Sequence, residues 1–281
     1  MEIYQAITLG IVQGLTEFLP ISSSGHLVIV QNLFGLKEAE LVFDVCLHVG
    51  TILAVLFYFR RDLAAMISAL VRVGAKYLKK EISLSDAWKD QQIKMAILII
   101  VGTLPTMVIG LAFKQIAETL FSSVRLVGAA LMVTGLILWM TRKILAREPA
   151  MDSFSLKKGL IIGVIQGLSI TPGISRSGST IAAGLFLGLD RELAARFSFL
   201  LSIPAICGAA ILSLKDINGT GGQDVVVLLS GMLVACLSGY LSLSFLVYIV
   251  KKGRLFVFAP YCWLVGMAAI AATFFMNGQM S

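Results

Sequence analysis

The stretch Gly10-Ile-Val-Gln-Gly-Leu-Thr-Glu-Phe-Leu-Pro-Ile-Ser-Ser-Ser-Gly25 recurs, with changes, as Gly163-Val-Ile-Gln-Gly-Leu-Ser-Ile-Thr-Pro-Gly-Ile-Ser-Arg-Ser-Gly178. An offset of 153 residues aligns the copies without a gap, and the identical positions of the first copy are Gly10, Gln13, Gly14, Leu15, Ile21, Ser22, Ser24 and Gly25. The copies differ in chemistry, because the first has Glu17, Ser23 and His26 where the second has Ile170, Arg176 and Ser179. We therefore predict one membrane domain over residues 1–281, built from specialised internal repeats at approximately 1–140 and 155–281.

The composition indicates where this duplicated motif lies. Hydrophobic residues make up 58% of the chain and charged residues 14%, and the mean hydropathy is +0.91. These values are typical of a polytopic membrane protein and exclude an ordinary soluble domain. The first residues lack a basic segment before the apolar stretch, so no removable signal peptide is expected. The four cysteines lie in apolar runs without CxxC spacing, which favours packing over a disulfide or metal role.

The distribution of apolar residues predicts an all-α fold. Six stretches are long enough to cross about 30 Å of hydrocarbon as helices of about 20 residues, namely 42–58, 96–113, 124–140, 197–214, 225–250 and 255–275. The motif segments, 3–35 and 157–189, differ because each consists of two short apolar pieces split by a Pro/Ser/Gly cluster. Paired interrupted segments are typical of re-entrant hairpins that meet at a binding site near the midplane. We predict six full transmembrane helices plus two re-entrant helical hairpins.

Basic residues predict the orientation. Eight lysines and arginines lie in 60–94 and five in 142–158, and the same side has Arg191, Arg196, Lys251, Lys252 and Arg254. The opposite side has only Lys37, Lys114, Arg125 and Lys215. The positive-inside rule makes the basic loops cytoplasmic and both termini external. Because three spans separate the hairpins, the repeats should have inverted topology. The net charge of +7 is explained by loops near anionic lipid, so nucleic-acid binding is not expected.

The hairpin tips predict an anion site. Ser22, Ser23 and Ser24 precede one short apolar segment, and a second such cluster contains Ser175, Arg176 and Ser177. Hydroxyls at helix N-termini, with free N–H groups and the positive end of the helix dipole, suit a phosphate, and an arginine adds a bidentate donor. The alternative is that the serines only cap helices and that Arg176 extends to the membrane interface.

The first hairpin also contains acid–base groups. Glu17 and His26 flank the serine cluster, although a lone histidine in apolar surroundings can equally be a core residue. Gln13 and Glu17 have i,i+4 spacing and so share a helix face, which suits a hard divalent cation. Asp44 and His48 share the same spacing and could orient catalytic groups or form a buried pair.

Two long motifs carry a family resemblance. Gln13-x-x-x-Glu17-Phe-Leu-Pro-Ile-Ser-Ser-Ser-Gly-His26 and Pro172-Gly-Ile-Ser-Arg-Ser-Gly-Ser-Thr180 resemble the signature motifs of the undecaprenyl-pyrophosphate phosphatases, the bacitracin-resistance family. The resemblance implies a hydrolase of the bacterial inner membrane, with its site facing outward, that converts undecaprenyl diphosphate to the monophosphate carrier of cell-wall synthesis. It also implies a divalent cation, Mg²⁺ or Ca²⁺. The implied functional positions are Gln13, Glu17, Ser23, His26, Ser175, Arg176 and Thr180.

Several alternatives stay open from the sequence. Many members of the resembled family have Glu where this chain has Gln13, so a metal site with two carboxylates is not implied. The attacking group could be Ser23, His26 or a water between them. A secondary transporter or flippase for an anionic lipid would use the same helix N-termini and Arg176, but it would have no need of Glu17 or His26. A homodimer is also left open.

Overall fold

The described residues form helices and irregular connections only. The structure, a computed structural model, describes residues 1–36, 41–113, 123–146, 151–215 and 224–278. No β-strand occurs in those ranges. The helices are α1 Ile3–Phe18, α2 Ser23–Leu33, α3 Leu41–Tyr58, α4 Arg60–Leu78, α5 Leu84–Ala87, α6 Gln91–Phe113, α7 Val124–Met140, α8 Leu156–Leu168, α9 Arg176–Phe186, α10 Arg191–Lys215, α11 Val225–Lys251 and α12 Ala259–Gly278. The all-helical membrane fold predicted from the sequence is confirmed.

Candidate membrane spans coincide with the predicted apolar stretches. Within the described part of the chain, five helices are long and apolar enough individually, at Gln91–Phe113, Val124–Lys143, Arg191–Leu212, Val225–Lys251 and Leu255–Thr273. A sixth arises if Val42–Tyr58 and Arg60–Leu78, bent by 73°, are taken as one span. The helices at 91 and 191 begin before the predicted 96 and 197, because polar first turns continue a helix that hydropathy does not register. The number of full spans stays a prediction.

Helix α4 was not predicted, because residues 60–94 were interpreted as a basic loop. Leu63, Met66, Ile67 and Leu70 follow the i, i+3, i+4, i+7 spacing of an amphipathic helix. Met66 is buried, whereas Arg60, Arg61 and Arg72 of this helix are exposed. Charge counting alone conceals such a helix, because the basic residues lie between the apolar positions.

The two motif segments form short helical hairpins, α1 with α2 and α8 with α9. Helix α1 has 16 residues and α8 has 13, and at 1.5 Å per residue these extend about 24 Å and 20 Å. Helices α2 and α9 have 11 residues each, or about 16 Å. None of these helices matches the ~30 Å of a bilayer core. The turn residues Ile21, Ser22 and Ser175 are buried, so the turn of each hairpin lies inside the protein.

Glycines bring each hairpin close to a helix of the other half. Helix α1 packs on α11, and α8 packs on α6. A Cβ at Gly10 would lie 2.7 Å from the carbonyl oxygen of Gly231, and a Cβ at Gly163 would collide with the backbone of Gly102. Gly10 and Gly163 are equivalent in the duplicated motif. Side chains at either position would push the hairpins out of the bundle, so we attribute the repeated glycines to close packing.

Candidate active site

The tips of the two hairpins contact each other through backbone and hydroxyl groups. Ser22 Oγ accepts a hydrogen bond from the backbone N–H of Gly173 at 3.1 Å. In the reverse direction, Ser177 Oγ donates to the carbonyl of Phe18 at 2.7 Å. All of these atoms are buried or nearly so. The two copies of the motif, about half a chain apart in sequence, therefore form one composite site.

A buried ion pair joins the two motifs at this contact. Arg176 Nη2 donates to Glu17 Oε1 at 2.6 Å, and the side chains are only 16% and 8% exposed. The opposite charges offset much of the cost of burying either one alone. Arg176 Nη1 is also buried and has no hydrogen-bond partner among the described residues. The guanidinium therefore retains a donor for a further anion.

Ser23 lies on the other oxygen of the same carboxylate. Its Oγ donates to Glu17 Oε2 at 2.8 Å, and Gln13 Nε2 donates to that oxygen at 3.0 Å. A hydroxyl held against a carboxylate is positioned to lose its proton when it attacks an electrophile. Glu17 thus connects Gln13, Ser23 and Arg176 in one network.

Two helix N-termini face the same space. Helix α9 is capped by Ser175, whose Oγ accepts from the N–H of Gly178 at 3.2 Å. Helix α2 begins at Ser23, immediately after Ser22, whose φ of +68° is rare for a non-glycine residue. Unpaired N–H groups and the positive dipole end at such termini favour a phosphate.

A cavity of about 500 Å³ lies against these groups, within the roughly 300–1,000 Å³ usual for small-molecule sites. Its polar end is lined by Glu17, Ser22, Ser23, Ser24, His48, Ser175 and Arg176. Its remaining wall is largely apolar and comes mainly from α6 and α10, with Met107, Leu111, Pro204 and Ile206 among its side chains. The cavity is suited to a molecule with an anionic head and an apolar tail.

His26 contacts a residue that the sequence analysis did not identify. His26 Nδ1 lies 2.9 Å from the carbonyl oxygen of Ser22, and Nε2 lies 2.6 Å from the hydroxyl of Tyr261. The rings stack with centroids 5.8 Å apart. Because a carbonyl can only accept, Nδ1 carries the proton and Nε2 accepts from Tyr261. His26 is not among the residues that line the cavity.

The signal for Tyr261 was weak in the sequence. It is a tyrosine within the apolar run of α12, it is 41% exposed, and a tyrosine hydroxyl in apolar surroundings usually has a hydrogen-bond partner. Nothing in the spacing, however, connects residue 261 to residue 26. Only the tertiary structure brings the two side chains into contact.

Asp44 and His48 have different partners despite their shared helix face. His48 Nδ1 lies 3.1 Å from Gln13 Nε2 and 3.9 Å from Glu17 Oε2. Asp44 Oδ1 accepts a hydrogen bond from Gln31 Nε2 at 2.8 Å. Of the two, His48 therefore lies beside the cavity, and Asp44 faces α2.

Two predicted phosphate ligands hold the second hairpin in place. Ser177 bonds to Phe18, as described, and Thr180 Oγ1 lies 2.5 Å from Ser198 Oγ. Both side chains are almost fully buried, and neither lines the cavity. In contrast, Ser24 lines it, with its Oγ 3.5 Å from that of Ser22.

Gln13 and Glu17 have the chemistry of a hard-cation site. Gln13 is fully buried, and its Oε1 has no hydrogen-bond partner in the described part of the chain. A carboxylate and an unpaired amide oxygen are ligand types that suit Mg²⁺ or Ca²⁺. In this structure the Nε2 of Gln13 faces the carboxylate, and Gln13 does not line the cavity. The described residues contain no group of three His, Cys, Asp or Glu side chains placed to hold a metal. A cation here would therefore take further ligands from the substrate and water.

Fold and site together define a class of protein: a multi-pass helical membrane protein with a polar cavity between two helical hairpins. Over residues 6–268 the sequence matches the bacitracin resistance protein BacA family, and the chain belongs to that family.

Curated relatives match over nearly the whole chain. The undecaprenyl-diphosphatase of Desulforapulum autotrophicum is 51% identical, with 98% of this chain and 99% of that protein covered. The undecaprenyl-diphosphatase of Desulfatibacillum aliphaticivorans is 48% identical, with coverages of 98% and 100%. That of Halothermothrix orenii is 46% identical, with coverages of 96% and 98%.

Proposed function

We propose that the chain is a membrane phosphatase that removes the terminal phosphate of undecaprenyl diphosphate and yields the monophosphate carrier for reuse in cell-wall synthesis. The observation that carries the proposal is the Ser23–Glu17–Arg176 cluster at the polar end of a cavity with apolar walls. Membership of the BacA family and the undecaprenyl-diphosphatase activity for which the relatives are named support it. Detergent-solubilised protein should release inorganic phosphate from undecaprenyl diphosphate, which a pure transporter cannot do.

The terminal phosphate would bind at the two helix N-termini. Arg176 Nη1, which is buried and available, would donate to an equatorial oxygen, and N–H groups at the starts of α2 and α9 would face the others. Phosphoryl transfer depends mainly on positioning and on stabilising charge on these oxygens. The lipid phosphate would then lie toward the apolar wall.

Ser23 is the best-placed nucleophile. In this mechanism its Oγ bonds to the outer phosphorus, its proton passes to Glu17 Oε2, and the bond to the undecaprenyl phosphate oxygen breaks. Water would then hydrolyse the phosphoserine and restore both groups. The alternative is a water held at the same place. His26 is a less favourable nucleophile because its Nε2 already accepts from Tyr261.

A divalent cation held by Glu17 and Gln13 would offset negative charge on the phosphate oxygens. We expect excess EDTA to abolish phosphate release and added Mg²⁺ or Ca²⁺ to restore it. The measurement is phosphate release before and after chelation, with readdition of each ion. Undiminished turnover in excess chelator would contradict the cation while leaving the phosphatase assignment intact.

Paired contacts support inverted repeats related by a pseudo-two-fold axis. The carbonyl of Gly10 accepts from Ser238 at 3.2 Å, and the carbonyl of its equivalent Gly163 accepts from Thr106 at 2.9 Å. A further pair of equivalent contacts lies where α7 packs on α12. A Cβ at Gly128 would lie 2.8 Å from the carbonyl oxygen of Gly266, and a Cβ at Gly266 would lie 2.8 Å from the carbonyl oxygen of Gly128. We infer that both hairpins are re-entrant and enter the membrane from opposite sides.

The glutamines of the motif repeat the pattern at the site itself. Gln13 contacts His48, and Gln166 Nε2 donates to the carbonyl of Leu201 at 3.3 Å. Both members of the second pair are offset by 153 residues from the first. The second half thus keeps a contact between the equivalent positions, but the partner of its glutamine is a backbone carbonyl, because Leu201 stands where the first half has His48.

Orientation follows from loop charge: we propose that both termini and the cavity face the periplasm of a bacterial inner membrane. Lys37, Lys114 and Ser281 lie outside the described residues, as does the side chain of Lys215. A tag after Ser281 should be accessible in intact spheroplasts, and a cysteine replacing the exposed Ser85 should be labelled only after permeabilisation. The reversed pattern would overturn the topology. A homodimer stays a prediction.

A further inference from the structure

A second depression lies between α4, α6 and α10. It has a volume of about 420 Å³, and its walls include Met66 and Ile67 of α4, Ile100 of α6 and Ile203 of α10. Among the described residues, Thr103 is the only one lining the groove with a polar side chain, and its Oγ1 donates to the carbonyl of Ile99 at 2.7 Å. The groove therefore accommodates hydrocarbon and provides no site for a charged group.

This groove is continuous with the candidate active site. Thr103, Met107 and Pro204 line both the groove and the polar cavity. The groove thus begins where the apolar wall of the cavity ends. A molecule with its head at Arg176 and Ser23 would extend its chain past Met107 into this space.

One side chain contacts all three helices that line the groove. Arg196 of α10 forms an ion pair with Asp62 of α4 at 2.6 Å, and its Nη2 donates to Gln92 of α6 at 3.3 Å. Arg196 and Asp62 are 27% and 29% exposed. The amphipathic helix α4 is therefore held against α6 and α10, and the groove is a built feature of the fold.

We infer that this groove binds the isoprenoid chain of the substrate, at isoprene units that follow the first unit next to the diphosphate. The inference rests on the proposed function, because it takes the anionic head to be in the polar cavity. Continuity argues for the substrate's own chain over an unattached bilayer lipid, since the chain is covalently tied to the head beside the entrance. In a contiguous pocket, each further isoprene unit that is bound adds to the binding energy of the substrate.

The test compares two substrates on variants that fill the groove. Ile100→Trp and Ile67→Trp add bulk from two different helices, at positions that are each 62% exposed. Leu229→Trp, at a 53% exposed position of α11 away from both cavities, is the matched control. Phosphate release is measured with undecaprenyl diphosphate and with a five-carbon isoprenyl diphosphate, whose chain is too short to reach the groove.

We expect the ratio of kcat/KM for the long substrate to that for the short one to fall by about 10–100-fold in both groove variants, the size of effect usual for altered apolar pockets. The ratio should be unchanged in Leu229→Trp. The short substrate reports that each variant is folded. If the ratio is unchanged in both groove variants, or is lowered equally in the control, the inference that the groove binds the isoprenoid chain is wrong. Failure of the unaltered protein to hydrolyse either substrate would instead overturn the proposed function.

Discussion

Ser23→Ala is expected to slow phosphate release from undecaprenyl diphosphate on the order of 10⁴-fold or more, as for removal of other nucleophiles that act within a catalytic unit. The reason is geometric: Ser23 Oγ lies 2.8 Å from Glu17 Oε2, and both residues line the cavity. The measurement is single-turnover phosphate release by purified protein, which separates chemistry from product release.

Ser179→Ala is the matched control. Ser179 occupies the position equivalent to His26 in the second motif, and its buried Oγ has no hydrogen-bond partner within the described ranges. Its loss should cost less than about tenfold in rate, because no functional contact is removed. If Ser23→Ala kept a tenth or more of the activity, attack by water would replace attack by Ser23.

Arg176→Lys is expected to lower kcat/KM by about 10²–10³-fold, the range for removing one oriented donor from a charge-stabilising site. Lysine keeps the charge that pairs with Glu17 but loses the planar fork, so one ammonium cannot hold both the carboxylate and a phosphate oxygen. Alanine is unsuitable, since it would leave Glu17 buried without its partner, at about 3–5 kcal/mol. Thermal unfolding should confirm that the lysine variant is folded.

A double variant tests whether the two hairpin tips act as one site. Ser23→Ala with Arg176→Lys should be scarcely slower than Ser23→Ala alone, because losses within a catalytic unit are not additive. If the rate losses of the two single variants multiplied in the double variant, the two hairpin tips would act independently and not as one site. Full activity of Arg176→Lys would show that the guanidinium of Arg176 has no role in catalysis.

Much of the site could be predicted because its residues lie within one short motif and its copy. Glu17, Ser23 and Arg176 stand out as polar groups in apolar surroundings, where such groups are costly and usually functional. The contact between His48 and Gln13 was not predicted, because the i,i+4 spacing paired His48 with Asp44 on a helix face. Spacing along one helix does not determine which neighbouring helix a side chain meets.

The sequence by itself determined the helical membrane class, the position of the apolar stretches and the duplicated polar motif, because each of these depends on composition or on short-range periodicity. Tertiary structure alone decided that Glu17 pairs with Arg176, that His26 lies against Tyr261 and that α4 closes an apolar groove. These contacts join residues up to 235 positions apart. They depend on how glycine faces let helices of opposite halves approach, a three-dimensional fit that no local pattern contains.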